Sequence, residues 1–166
     1  MDRRKRKCTL CIMHCAFLLL LSCSIPLQET VIAKNHEDAG EYQKAIDVYN
    51  QLLQKNTLKK AQSTQLDPAG SANVNYLYYL LIGDNYLKLD NPTLAEEYYV
   101  KAIDGGASTE FIIDRIRLLS RYYAEHGDYE QAIEILRRYH NVSPEEIDYS
   151  IDKLHKGQVN QLKGTL

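Results

Sequence analysis

The sequence predicts an all-α fold, an array of helix pairs followed by one further helix, and three observations predict it. The first is a shared register. Ala45, Ala95 and Ala132 can be set side by side, and twelve residues before each stands a small residue: Ala33, Gly83 and Ser120. Ile32, Ile82 and Leu119 precede those, His36, Tyr86 and Tyr123 stand nine residues before the alanines, and Tyr49, Tyr99 and Leu136 stand four after them. The second is the spacing of apolar residues within each stretch, which follows a helix and not a strand. The third is a turn signal at the matched place in every copy: Gly40-Glu41-Tyr42, Asp90-Asn91-Pro92 and Gly127-Asp128-Tyr129. Self-similarity of this kind marks a repeat architecture. The function to expect is the holding of partners and not chemistry.

Taken in order, the first copy occupies residues 27–56. Its second half is clear, with Ala45, Ile46, Tyr49, Leu52 and Leu53 at helical spacing. Its first half has His36 where the other copies have Tyr. Residues 57–75 interrupt the rhythm. Residues 58–61 are expected to prolong the preceding helix, and Asp67-Pro68-Ala69-Gly70-Ser71 is a turn signal. This stretch reads either as a tolerated surface insertion or as a loop that carries function. The second copy, residues 76–109, carries Tyr79, Ile82, Gly83 and Tyr86, then Pro92 at a helix start, then Ala95, Tyr98, Tyr99, Ala102 and Ile103, and ends at Gly105-Gly106. The third copy, residues 110–143, carries Ile116, Leu119, Ser120 and Tyr123, then Ala132, Ile133, Leu136 and Tyr139. A closing helix over residues 144–166 opens at Ser143-Pro144-Glu145-Glu146, where a cap, a first-turn proline and acids at the positive helix end coincide. Ile147, Ile151 and Leu154 mark its buried stripe, and Gly157 is expected to end or loosen it.

The 166 residues suffice for one compact body or a short array. Thirteen Tyr against two Phe and no Trp suit surfaces that are half buried. Residues 1–22 differ from the rest. Arg3, Arg4, Lys5, Arg6 and Lys7 precede an apolar run from Cys8 to Leu21 that is short for a membrane span. Together they read as an export signal peptide. The run ends in Leu20-Leu21-Ser22-Cys23, which resembles the lipobox of bacterial lipoprotein precursors. That resemblance implies cleavage before Cys23, lipidation of its thiol, and a short tether over residues 23–26. Cys8, Cys11 and Cys15 then fill a discarded signal helix; the rival reading groups them with His14 as a metal site. Removing the first 22 residues takes away five basic residues and one acid, so the formal charge moves from −2 to −6. Such a chain is a poor nucleic-acid binder and gains little from anionic lipid head groups, so attachment falls to the lipid. Stable anchoring takes more than one acyl chain, and the lipidated cysteine of this class carries two or three by resemblance.

The repeat itself resembles the tetratricopeptide repeat. The second copy has Tyr79-x2-Ile82-Gly83-x2-Tyr86 followed by Ala95-x3-Tyr99-x2-Ala102, with Tyr79 where the family most often has Trp. The third copy has Leu119-Ser120-x2-Tyr123, Ala132-x3-Leu136 and a closing Pro144; the first has Ile32-Ala33, Ala45-x3-Tyr49 and Leu52. The resemblance implies a right-handed superhelical array of about three helix pairs, capped by the final helix. It also implies a concave groove lined by the first helix of each pair.

On that implication the groove residues are Thr30, Lys34, Leu77, Leu80, Leu81, Asp84, Leu87, Arg117, Arg121 and Ala124. Leu77, Leu80, Leu81 and Leu87 would form an apolar floor. Arg117 and Arg121, four apart, would bind a carboxylate or a peptide C-terminus, or else pair with acids such as Asp84 and Asp114, or stay solvated. The full carboxylate-clamp set of chaperone-binding members is not visible. His36, His126, His140 and His155 are scattered, and no catalytic triad, carboxylate pair, phosphate loop or metal cluster is visible after Cys23, so neither an enzyme nor a cofactor is expected. The expectation is a non-enzymatic, lipid-anchored scaffold or adaptor in a bacterial cell envelope, facing the periplasm or the exterior, on the outer membrane where there is one. The alternative is a small-ligand or transport-accessory lipoprotein that uses the groove as a pocket.

Overall fold

A computed structural model of the chain describes residues 25–63 and 75–164. Among them seven helices follow one another: α1 (Ile25–Asp38), α2 (Tyr42–Ser63), α3 (Asn75–Lys88), α4 (Pro92–Asp104), α5 (Thr109–Glu125), α6 (Tyr129–Arg138) and α7 (Pro144–Gly164). The fold is an all-α array: α1/α2, α3/α4 and α5/α6 are antiparallel pairs, each pair packs on the next, and α7 closes on α6. No described helix is long and apolar enough to cross a membrane.

The pairs turn alike because their connections are alike. Glu41, Asn91 and Asp128 each donate a backbone N–H to the carbonyl five residues back, on His36, Tyr86 and Tyr123, at 2.8–2.9 Å. That closure requires a left-handed residue just before the donor. Gly40 (φ 74°) and Gly127 (φ 82°) supply it, and Asp90 (φ 60°) does so at a position where an acid is tolerated better than most side chains. The next helices then start on caps: Asn91 accepts from the Leu94 N–H with Pro92 at the first turn, and Asp128 accepts from the Gln131 N–H at 3.0 Å.

Packing within each pair rests on the small residues of the shared register. Ala33, Ala45, Ala95 and Ala132 are fully buried, and Ser120 is buried with its hydroxyl donating to the Ala132 carbonyl at 2.8 Å. The α3/α4 crossing is the tightest. A Cβ at Gly83 would stand 2.4 Å from the Tyr99 ring and 3.1 Å from the Ala95 carbonyl oxygen. Two cores result. One joins α1, α2 and α3 around Ala33, Ile46, Tyr49 and Ile82; the other joins α3 to α7 around Leu80, Tyr99, Ile116, Leu136 and Ile147.

The structure departs from the sequence reading in two places. Ile82 and Leu119 are fully buried, yet Ile32, at the same register position, is 41% exposed. Its counterparts are covered by the helix before them, whereas no described helix precedes α1. Gly157 neither ends nor visibly loosens the final helix, which continues to Gly164. Helix α2 runs on to Ser63 and so takes in residues 58–61, as the sequence reading expected; residues 64–74 lie outside the described part.

The crossing at Gly83 yields a stability test. Gly83→Ala gains helix propensity, but the ring of a buried tyrosine and a backbone carbonyl cannot both retreat. We expect a net loss of about 1–3 kcal/mol, read from denaturant midpoints at constant slope.

Candidate functional site

Polar bonds fasten the first helices of successive pairs side by side. Between α1 and α3, Glu37 accepts from the Asn85 side-chain amide at 2.8 Å, and within its own pair it accepts from the Tyr49 hydroxyl of α2 at 3.1 Å. Between α3 and α5, Asp84 accepts two bonds from Arg115, at 3.2 and 2.8 Å, and within its own pair it accepts one from the Tyr99 hydroxyl of α4 at 2.9 Å. Between α5 and α7, Arg117 reaches the Glu146 carboxylate at 2.8 Å and donates to the Ser150 hydroxyl at 3.2 Å. Burial and the neighbouring carboxylates push the Tyr49 and Tyr99 phenols well up, so both remain neutral donors. Burial by itself would lower Arg115; the bonds and charge of Asp84 more than offset it.

Two hollows open along this face. The smaller, about 190 Å³, lies between α1 and α3 and is bordered by Lys34, Asp38, Leu81, Asp84 and Lys88. The larger, about 610 Å³, is a cleft between α5 and α7 that is only partly enclosed. Its α5 wall carries Arg117, Arg121, Ala124 and Glu125; its α7 wall carries Tyr149, Lys153 and Gly157; Tyr129, Leu136 and Leu154 lie at its base. The helical repeat explains both walls. On α5 the stripe Ile112, Ile116 and Leu119 turns into the core, leaving Arg117 and Arg121 on the adjoining face. On α7 the inward stripe is Ile147, Ile151 and Leu154, leaving Tyr149, Lys153 and Gly157, at four-residue spacing, towards the cleft.

The residues expected to line a groove divide accordingly. Leu80 is 2% exposed and belongs to the second core, so it is a packing residue and not a groove residue. Leu87 packs against that same core and Leu81 against the first. Most of the expected leucine floor is therefore consumed, because α3 has helices on both sides; Leu81, half-buried, keeps a place at the edge of the small hollow. Leu77 alone of the four stays exposed. Asp84 borders the small hollow, but its carboxylate is held by Arg115 and Tyr99 and acts as an internal clasp. Lys34 pairs with Glu37 and Asp38, and Thr30 is half-buried on α1. Arg117 is tied to the closing helix, to neither Asp84 nor Asp114. Arg121 is exposed and has no hydrogen-bond or ion-pair partner among the described residues. Cys23 and the signal-peptide residues, Cys8, Cys11, His14 and Cys15 among them, lie outside the described part. The sequence reading missed the α7 wall; its signal was the spacing of Tyr149, Lys153 and Gly157 opposite the Ile147 stripe.

Comparison with known families agrees with this geometry. Two tetratricopeptide-repeat family models match, one over residues 76–104 and the other over residues 32–56. The chain carries tetratricopeptide repeats. They coincide with most of α3/α4 and with parts of α1 and α2; the α5/α6 pair lies outside both matches and shares their turn and small-residue crossing. Among curated proteins, none matches the chain. Tetratricopeptide repeats are generally protein-interaction modules and typically lack enzymatic activity.

Two substitutions probe the cleft walls. Gly157 sits mid-helix with nothing within 4 Å of where a Cβ would stand, so Gly157→Ala should stabilise the protein by about 0.5–1 kcal/mol, read as a raised Tm. Arg117→Ala should cost at most about 1 kcal/mol, since the pair is partly solvated. Its signature should be faster amide exchange across α7 with α1–α4 unchanged.

Proposed function

We propose that this protein is a non-enzymatic scaffold or adaptor, anchored by lipid on Cys23, that holds a protein partner in the bacterial cell envelope. The observation that carries the partner-holding part is the face built by α1, α3, α5 and α7. Three polar seams join these helices into one surface, and both hollows open on it. A surface of this kind accepts an extended or helical segment along its length. The anchor rests on the sequence alone: a basic start, a short apolar run and Leu20-Leu21-Ser22-Cys23. An acidic body of this charge would gain little from anionic head groups, so acyl chains would supply the attachment.

A second reading, a small-ligand or transport-accessory lipoprotein, draws on the size of the α5/α7 cleft. About 610 Å³ is within the range of small-molecule sites. Such sites enclose most of their ligand, however, and this cleft is only partly enclosed, which favours a partner segment.

The anchor has a direct test. Cells fed a palmitate analogue should label the wild-type protein and retain it in the membrane fraction. Cys23→Ala should abolish the label and release the protein. Label persisting in that variant rules out lipidation at Cys23, and leaves the partner-holding face to be tested on its own.

A further inference from the structure

The α5/α7 cleft has a charge balance opposite to that of the chain around it. Its walls carry three cations, Arg117, Arg121 and Lys153, and one carboxylate, Glu125, in a chain of formal charge −2. Arg117 is occupied by Glu146 and Ser150. Arg121 and Lys153 have no hydrogen-bond or ion-pair partner among the described residues. They stand on opposite walls, above a base of Tyr129, Leu136 and Leu154. Gly157, one turn beyond Lys153, leaves its part of the wall without a side chain, and the space there is open. Tyr149, one turn before Lys153, is 67% exposed, a large aromatic left out of the core.

These features select an occupant. A wholly apolar segment would have to desolvate two cations and give nothing back. A carboxylate between the walls would take charge-assisted hydrogen bonds from both. The tyrosines and Leu154 reward an apolar side chain next to that carboxylate. A partly enclosed cleft leaves room for the rest of a peptide chain outside it, which a closed small-molecule site would not.

We propose that the cleft between α5 and α7 docks a short acidic segment of a protein partner, with one apolar side chain on the Tyr129–Leu154 base beside Gly157 and carboxylates on Arg121 and Lys153. The proposal rests on the reading of the chain as a partner-holding scaffold and names which part of the face does the holding. Arg117, engaged by Glu146 and Ser150, is not a ligand of the segment.

Random peptides displayed on phage, selected against the full chain in detergent, are the probe. Recovered peptides should carry Asp or Glu beside a Leu, Ile or Phe. A synthetic copy should bind by fluorescence anisotropy and weaken as salt rises. Arg121→Glu with Lys153→Glu should weaken it by about tenfold or more, and Gly157→Trp, which fills the open wall, should do the same. Lys156→Ala removes a cation of α7 that does not line the cleft and is paired with Asp152; it should leave Kd unchanged. If the tryptophan variant fails to fold, the charge reversals, both at exposed residues, still decide the matter. Peptides lacking an acid, or a Kd unmoved by the reversals, overturn the proposal. So does sodium decanoate binding that depends on Arg121 when no peptide is recovered, which would make the cleft a site for a small amphiphilic anion. Partner capture by the full chain that survives the reversals overturns the cleft while leaving the scaffold reading standing; a wild-type chain that captures nothing overturns both.

Discussion

The approach of α3 to α4 depends on a side chain that is not there. With hydrogen alone at Gly83, the Tyr99 ring lies over the α3 backbone and Ala95 brings its carbonyl oxygen to just over 3 Å from where a Cβ would be. Much else follows from that crossing. It places the Tyr99 hydroxyl within 2.9 Å of Asp84, which lets Asp84 hold Arg115 of the next pair. It also presents Ile82 to the first core and Leu80 to the second, so that one helix serves both. Ala33 and Ser120 perform the same task in their own pairs with slightly more bulk, and Ser120 turns its hydroxyl to the opposing carbonyl so that no buried polar atom is left unmatched.

What could be read from the sequence divides along the same line. Crossing residues, turns and caps are local: each is specified within about fifteen residues, and each repeats, so three weak signals reinforce one another. The turn at Asp90 was legible although it lacks glycine, because the residues on either side of it keep the register. The surface was less legible. Leu80 and Leu77 differ by less than one helical turn, yet one is core and the other exposed, and the difference is set by α4 and α5, which arrive later in the chain. Asp84 meets Arg115 across 31 residues and Arg117 meets Glu146 across 29. No local pattern announces such pairs, and a side chain marked as free in sequence is as often engaged by one of them. Ile32 shows the converse: its register position implies burial, but burial needs a preceding helix, and none stands before α1 among the described residues.

The polar bonds of the array are short in reach and unequal in strength. Glu37 is screened well enough by its neighbours for the amide of Asn85 and the phenol of Tyr49 to matter, whereas the Arg117–Glu146 pair is more exposed and correspondingly weaker. The closing helix is therefore held chiefly by Ile147, Ile151 and Leu154, with the ion pair setting its angle more than its affinity. A wall held that way can yield a little to an occupant of the cleft without the rest of the array being disturbed.

The three seams also individualise repeats that share one packing skeleton. A carboxylate on α1 faces an amide on α3; a carboxylate on α3 faces a guanidinium on α5; a guanidinium on α5 faces a carboxylate on α7. Donor and acceptor thus change sides between the second seam and the third. Were the second pair deleted, the small residues would still interlock, but Lys34, which holds the register position of Asp84, would stand against Arg115 in place of that carboxylate. The order of the second and third modules is thus written in a polar junction as well as in the chain.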